Sequence, residues 1–230
     1  RRQRQMCIRD RDGNVINGLS LNSTLASGVP GTVSGMFYVS EKFGIKNIKS
    51  LINPSVEIAK KGFILSKFQA SNLNKYKEKF LKNPEAKEIF TRTEGFAEGD
   101  ILIQKNLANT LSRIAKNGKE EFYLGETAKK ISSFYKKNKG ILSFEDLKQY
   151  ELRVLEPVCG NYRVYRICSM PPPSSGGIAL IQMLNILENL DIDKFQHNSE
   201  KYLMNLISAM DYAFFDLSLI HISEPTRPRL

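Results

Sequence analysis

The sequence predicts an α/β protein of the layered α+β kind, mostly helical, with a few strands. Three observations lead there. Apolar residues recur at helical spacing through most of the chain. Only one region, residues 152–169, has the β-branched and aromatic run of a strand pair. That region has long helical patterns on both sides, so the strands belong to a layer that helices cover. Two strands make no complete sheet, so the order predicts one lobe of a larger α/β body.

Taken in order, LASGVPGTVSGMFYVSEKFG (25–44) reads as a tight turn feeding a helix that ends at Gly44. Pro30 suits a first helical turn, and Gly31, Ser34 and Gly35 let the helix approach a neighbour closely. Pro54 is placed to open a second helix through Val56, Ile58 and Ala59, stopped by Gly62. Residues 66–82 read as one lysine-rich amphipathic helix, broken at Asn83-Pro84. TRTEGFAEGD (91–100) is a loop. Leu107, Leu111, Ile114 and Ala115 mark a helix that Asn117-Gly118 terminates. Phe122-Tyr123 leads to a helix over 126–137. Ser143 and Asp146 form a capping box with Asp in place of Glu. Strands follow near 152–159 and 162–169, with Gly160-Asn161 as the hairpin turn. The helix over 177–190 is apolar nearly all round and should be buried. A last helix over 198–216 carries Leu203, Leu206, Ile207, Met210 and Phe214 on one stripe. No repeat or linker interrupts the series.

The chain has 230 residues, 41% of them hydrophobic and 25% charged, ordinary values for a globular protein. It has no run of 18 apolar residues and no apolar stretch behind its basic start, so a membrane span and a leader are not expected within it. The net charge is +10, but residues 1–11 carry +4 of it and residues 217–230 another +1. The remaining lysines are spread over helical surfaces, without aromatic interleaving. That pattern argues against a nucleic-acid partner.

RRQRQMCIRDR (1–11) and SLIHISEPTRPRL (218–230) are unlike the segments they flank. Both resemble translated sequencing-adaptor strings. Residues 12–216 are therefore expected to be the native body, with 1–11 and 217–230 as adaptor-like ends and the protein truncated at both. His221 falls in the second end, which leaves His197.

Few residues are placed for chemistry. His197 sits in a polar loop, KFQHNSE, and reads as a surface residue. There is no G-x-S-x-G elbow, phosphate loop or metal-ligand spacing. Glu120/Glu121 and Asp191/Asp193 read as solvated surface charge. Of three cysteines, Cys7 lies in the first end. With a turn at Gly160-Asn161, Cys159 and Cys168 would stand roughly 20 Å apart, too far for a disulfide, and read as small buried hydrophobes. In SMPPPSSGG (169–177), Pro171–Pro173 read as a stiff extended segment and Ser174 or Ser175 as a helix cap. Three readings of the segment are open: a structural corner, an anion or substrate contact, or a serine nucleophile. Nothing beside it supplies a base.

SGVPGTVSG (27–35), KGF (61–63), LANTLSRIAKNGKEEFYLGETAKKI (107–131), ILSFEDLKQY (141–150) and NYRVYRICSMPPPSSGGIALIQMLNILE (161–188) together resemble the gamma-glutamyltransferase family, in one order over nearly all of 20–216. The resemblance implies an N-terminal-nucleophile (Ntn) hydrolase with an αββα sandwich in the full protein. It implies a precursor that cuts itself into large and small subunits, and a threonine nucleophile at the start of the small subunit. It implies cleavage of the gamma-glutamyl amide of glutathione, with release to water or to an amino-acid or peptide acceptor, and no cofactor. The quoted motifs belong to the large subunit. The threonine is then expected outside this chain, the small subunit of the same precursor is the expected partner, and the chain alone is expected to be inactive with exposed apolar faces. No catalytic, substrate-binding or metal-binding role transfers to any residue here, including Arg9, Arg11, Ser174 and Ser175. Bacterial relatives imply a periplasmic or secreted protein. The alternatives within the fold are a cephalosporin acylase or poly-gamma-glutamate hydrolase type of amidase, and a non-catalytic binding protein.

Overall fold

The structure, a computed structural model, describes Ile16, Gly18, Leu19 and residues 23–223, with side chains through Leu217. The adaptor-like segment 1–11, with Cys7, Arg9 and Arg11, lies outside the described residues, as do 224–230 and the side chain of His221. The chain forms two compact units, residues 1–152 and 153–230.

The first unit is helical, with one short strand pair. A 3-10 turn, Thr24–Ala26, precedes α1 (Thr32–Phe43), α2 (Ile48–Lys61) and β1 (Phe63–Ile64). Then come α3 (Lys67–Lys75), α4 (Lys77–Phe80), α5 (Pro84–Phe90), β2 (Ile101–Leu102), α6 (Lys105–Asn117), α7 (Lys119–Tyr123), α8 (Glu126–Lys137) and α9 (Phe144–Lys148).

Local chemistry accounts for most boundaries. Ser66 and Gln69 cap α3 reciprocally, and Ser143 and Asp146 do the same for α9. Gly62 and Gly118 end α2 and α6 at φ +88° and +80°, in the left-handed region that glycine enters without strain. Asn83 caps α5 and Pro84 is its first residue.

Three helix expectations change. Pro30 precedes α1 rather than opening it, because Gly31 is the N-cap. Pro54 lies inside α2: Asn47 accepts from Lys49 N at 2.9 Å and starts the helix well before the proline. The helix expected over 66–82 is two, parted at Tyr76, whose backbone (φ −99°, ψ 10°) leaves the helical region.

The β1–β2 pair was not anticipated. Its register is antiparallel, with Phe63 opposite Leu102 and Ile64 opposite Ile101. A two-residue strand is too short to show a period. Leu65, Ala70, Phe96 and Leu102 form the core beside it. Asn74 satisfies both backbone groups of Phe96, at 2.8 Å each. A second core joins Ala128, Leu142 and Leu147 to Val29 and Ile131, and α2 packs along α6.

The second unit is a hairpin on two helices: β3 (Val158–Tyr162), β4 (Tyr165–Ser169), α10 (Gly176–Asn189), a 3-10 turn at Ile192–Lys194, and α11 (Glu200–Ser223). The hairpin turn is Arg163-Val164, not Gly160-Asn161. Gly160 is needed for another purpose: a Cβ there would stand 2.6 Å from Ile181 Cγ2 of α10. The turn is held instead by Arg163, whose N donates to Glu188 Oε1 at 2.7 Å.

This shift overturns the reading of the cysteines. Cys159 and Cys168 are directly opposed in the register and form a disulfide, with Cα atoms 4.1 Å apart. Moving the turn by three residues closes the gap that had separated them.

Helix α10 is amphipathic in place rather than buried all round. Gly177, Ala179 and Leu187 are buried, while Leu180 in the helix and Leu190, its C-cap, are exposed. On α11 the expected stripe is largely the outer face. Leu203, Ile207, Met210 and Phe214 are exposed, and the packed face is Tyr202, Leu206, Ala209, Ala213 and Leu217. The alanines are buried because α10 approaches closely, and only small side chains fit between the helices.

Candidate functional site

In the first unit, the SGVPGTVSG segment, α7 and the chain two residues past α9 meet around two tyrosines, Tyr123 and Tyr150. The Tyr123 hydroxyl donates to the Pro30 carbonyl at 2.8 Å and accepts from Ser34 N at 3.2 Å. Ser34 is the third residue of α1, and Gly31 offers no side-chain cap. The tyrosine therefore satisfies a donor that the helix start leaves free, acting as a cap from 89 residues away. Tyr150 stacks on Tyr123, centroids 5.3 Å apart and planes 9° from parallel. A Cβ at Gly31 would come within 2.3 Å of the Tyr150 hydroxyl, so Gly31 makes the close approach foreseen for it. Gly35 does not, with nothing within 4 Å of a Cβ. Burial raises the Tyr123 pKa, and the hydrogen bond from Ser34 opposes this only in part.

A cleft of about 460 Å³ opens beside these rings, lined among others by Ser34, Tyr38, Glu41, Lys119 and Tyr150. It has hydroxyls and charges of both signs, a lining suited to a polar ligand.

Glu120 lines this cleft, and its neighbour in the chain, Glu121, is only 7% exposed. It corrects the reading of Glu120/Glu121 as a solvated pair. Its Oε1 accepts from Arg113 Nε at 2.9 Å, Thr127 Oγ1 at 3.0 Å and Thr127 N at 3.2 Å. Burial pushes the Glu121 carboxyl up, but the hydrogen bonds from Arg113 and Thr127 outweigh it, leaving the pKa below the ordinary carboxylate value. The group ties α6, α7 and α8 together. Every strong donor around it is engaged, so it is a satisfied structural charge rather than a base in waiting.

In the second unit the PPPSSGG segment is a corner. Ser174 N donates to the Pro171 carbonyl at 3.2 Å, closing a turn over residues 171–174 that contains a cis Pro172–Pro173 bond. The segment is thus turned rather than extended. Ser175 is the N-cap of α10 but makes no side-chain cap bond, so the expected serine cap is absent. Gly177 packs directly on the hairpin: a Cβ there would stand 2.2 Å from the Met170 carbonyl. Neither serine hydroxyl has a hydrogen-bonded base among the described residues.

His197 is exposed and lies edge-on to Tyr202, centroids 5.2 Å apart. Asp191 and Asp193 are exposed and pair with Lys194 and Arg163. Among the described residues no group of three His, Cys, Asp or Glu is placed to hold a metal ion, and no helix is long and apolar enough to cross a membrane. Tyr123, Tyr150 and Arg113 are given no role by the sequence reading, and Glu121 is given the wrong one. All stand in the quoted motifs, but their partners lie on other elements.

A family model described as gamma-glutamyltranspeptidase matches residues 2–221. The glutathione hydrolase proenzyme of Escherichia coli (strain K12) is 41% identical over 211 residues, covering 91% of this chain and 36% of that protein. The glutathione hydrolase proenzyme of Bacillus subtilis (strain 168) is 39% identical over 193 residues, covering 83% of this chain and 32% of that protein. The chain thus spans about a third of the length of these relatives. Among solved structures, Helicobacter pylori gamma-glutamyltranspeptidase superposes with a TM-score of 0.88 at 41% identity, over 92% of this chain and 61% of that one. The Bacillus anthracis transpeptidase enzyme CapD does so at 0.73 and 32%, over 87% and 69%.

Proposed function

Because the chain belongs to the gamma-glutamyltranspeptidase family, we propose that it is part of the large subunit of a gamma-glutamyltransferase that acts on glutathione. Residues 12–216 form the native portion, and the nucleophile lies outside the 230 residues. In that scheme a threonine, newly exposed at the start of the small subunit, uses its own α-amino group as base. It attacks the gamma-glutamyl amide, the amine leaves, and an acyl-enzyme forms. Water then releases glutamate, or an amino acid or peptide takes the acyl group. The small subunit of the same precursor completes the αββα sandwich, and the assembled protein is exported.

The observation that carries this reading is the likeness along almost the whole chain to glutathione hydrolases, at 41% identity. Neither Ser174 nor Ser175 has a hydrogen-bonded base among the described residues, and the Ser143 hydroxyl and Asp146 are engaged in capping α9, which supports placing the nucleophile elsewhere. This chain's contribution is then to build walls: Tyr123 and Glu121 hold α1, α6, α7 and α8 in place, and Gly177 seats the corner. The relatives at 39–41% identity are glutathione hydrolase proenzymes, which supports glutathione as the substrate.

The test is to express the complete gene, confirm turnover of a gamma-glutamyl anilide, and label the enzyme with a glutamine-mimicking electrophile. Peptide mapping should place the adduct on a threonine outside these 230 residues, and the 230-residue chain alone should show neither turnover nor label. An adduct on Ser174, Ser175 or any other residue of this chain refutes the assignment.

A further inference from the structure

The two faces of the β3–β4 hairpin differ. Val158 and Ser169 meet the Gly177 position of α10, Gly160 meets Ile181, and Tyr162 joins the core with Leu187. With the side-chain alternation of a strand, Cys159, Asn161, Arg166 and Cys168 occupy the opposite face. Counting from the Tyr162–Tyr165 pair that closes the two-residue turn, Cys159 and Cys168 are a non-hydrogen-bonded pair, the kind that brings side chains closest. Cys168 is exposed, whereas Cys159 is half-buried with its Sγ 4.0 Å from the Pro157 carbonyl. Arg166, also exposed, is two residues from Cys168 on the same face and makes no ion pair among the described residues.

We propose that the Cys159–Cys168 disulfide is an exchange site for anionic low-molecular-weight thiols of the glutathione type, attacked at Cys168 Sγ. The thiolate bonds to Cys168 Sγ, the Cys159–Cys168 bond breaks, and Cys159 leaves as a thiolate. A second thiolate then attacks the small-molecule sulfur of the mixed disulfide, giving the small-molecule disulfide and a Cys168 thiolate. Two electrons enter the protein, and each cysteine thiolate takes up a proton from solvent. The choice of Cys168 follows from access. The preference for an anionic thiol follows from Arg166, whose charge draws the attacking group and stabilises the departing thiolate.

The consequence reaches the PPPSSGG corner. Val158 and Ser169 are paired immediately next to the disulfide, and both press on Gly177 at the start of α10. Opening the bond releases the two strand ends from each other, and with them the seat of residues 170–177. The proposal does not depend on the acyl-transfer reading, because it needs only this chain and a thiol.

The experiment uses the 230-residue chain in a Cys7→Ser background, incubated natively with reduced glutathione or with β-mercaptoethanol as a neutral thiol. Free thiols are trapped by alkylation and mapped by mass spectrometry. The untreated chain should resist alkylation at both positions. Glutathione should open the bond without denaturant, several-fold faster per thiolate than the neutral thiol, and Arg166→Gln should abolish that advantage. Glutathione disulfide should modify Cys168 in Cys159→Ser several-fold faster than Cys159 in Cys168→Ser. Hydrogen exchange over 170–180 should speed up on reduction. Alkylation without any thiol, opening only in denaturant, equal rates for the two thiols, preferred modification of Cys159, or unchanged exchange over 170–180 each overturns the proposal.

Discussion

Replacing Glu121 measures how much one buried charge contributes to the first unit. Glu121→Ala removes the acceptor of three hydrogen bonds: from Arg113 Nε, Thr127 Oγ1 and Thr127 N. Arg113 is 23% exposed and can turn toward water or Glu126, whose Oε2 is already 3.5 Å away, so its loss is softened. The Thr127 backbone N–H is buried and has no such recourse, and an unsatisfied buried donor costs about 1–3 kcal/mol. Adding the lost charge-assisted bond, the expected destabilisation is about 3–4 kcal/mol. Glu121→Gln keeps an acceptor of the same shape and loses only the charge, for about 1–2 kcal/mol. Urea unfolding followed by near-UV circular dichroism of the tyrosines reads both, since the chain has nine Tyr and no Trp. The pH dependence has a definite sign. The folded pKa of Glu121 is lowered, so its charge contributes fully above the unfolded value of about 4.3. The contribution is lost as pH falls through the folded pKa. The gap between wild type and Glu121→Gln should thus be constant at neutral pH and shrink in acid. Equal stabilities for wild type and Glu121→Ala, or a gap that widens in acid, would refute the reasoning.

Tyr123→Phe deletes the remote cap of α1 and the bond to Pro30, and should cost about 1–2 kcal/mol with faster amide exchange at Ser34; unchanged exchange there argues against the cap. Gly177→Ala forces a methyl against the Met170 carbonyl and should destabilise the second unit by about 1–3 kcal/mol. Gly35→Ala, in open space inside α1, should stabilise by about 0.5–1 kcal/mol; thermal melts that rank the two the other way contradict the packing described. The exposed stripe of Leu203, Ile207, Met210 and Phe214 should make the isolated chain self-associate, and Ile207→Lys should shift it toward monomer in light scattering. A wild-type chain that stays monomeric at high concentration counts against this.

How much could be read from the sequence depended on the range of each determinant. The ends of α2 at Gly62, of α6 at Gly118 and the start of α9 at Ser143–Asp146 were readable because a cap or a left-handed glycine acts within four residues. The family was readable for a similar reason, since its motifs survive as short strings in order. The cysteines were misread because the hairpin turn was placed by local turn preference, whereas Gly160 answers to Ile181, 21 residues away. The burial of Glu121 was equally invisible, because a pair of glutamates looks the same in sequence on a surface or beneath a helix.

The sequence by itself determined where the longer helices lie, where several of them stop, and to which family the chain belongs. Tertiary structure alone decided the strand register that joins Cys159 to Cys168, the face of α11 that is buried, and the capping of α1 by Tyr123. The physical reason is that capping and backbone preference act between near neighbours. Register, burial and charge satisfaction are settled by whichever surface arrives from elsewhere in the chain.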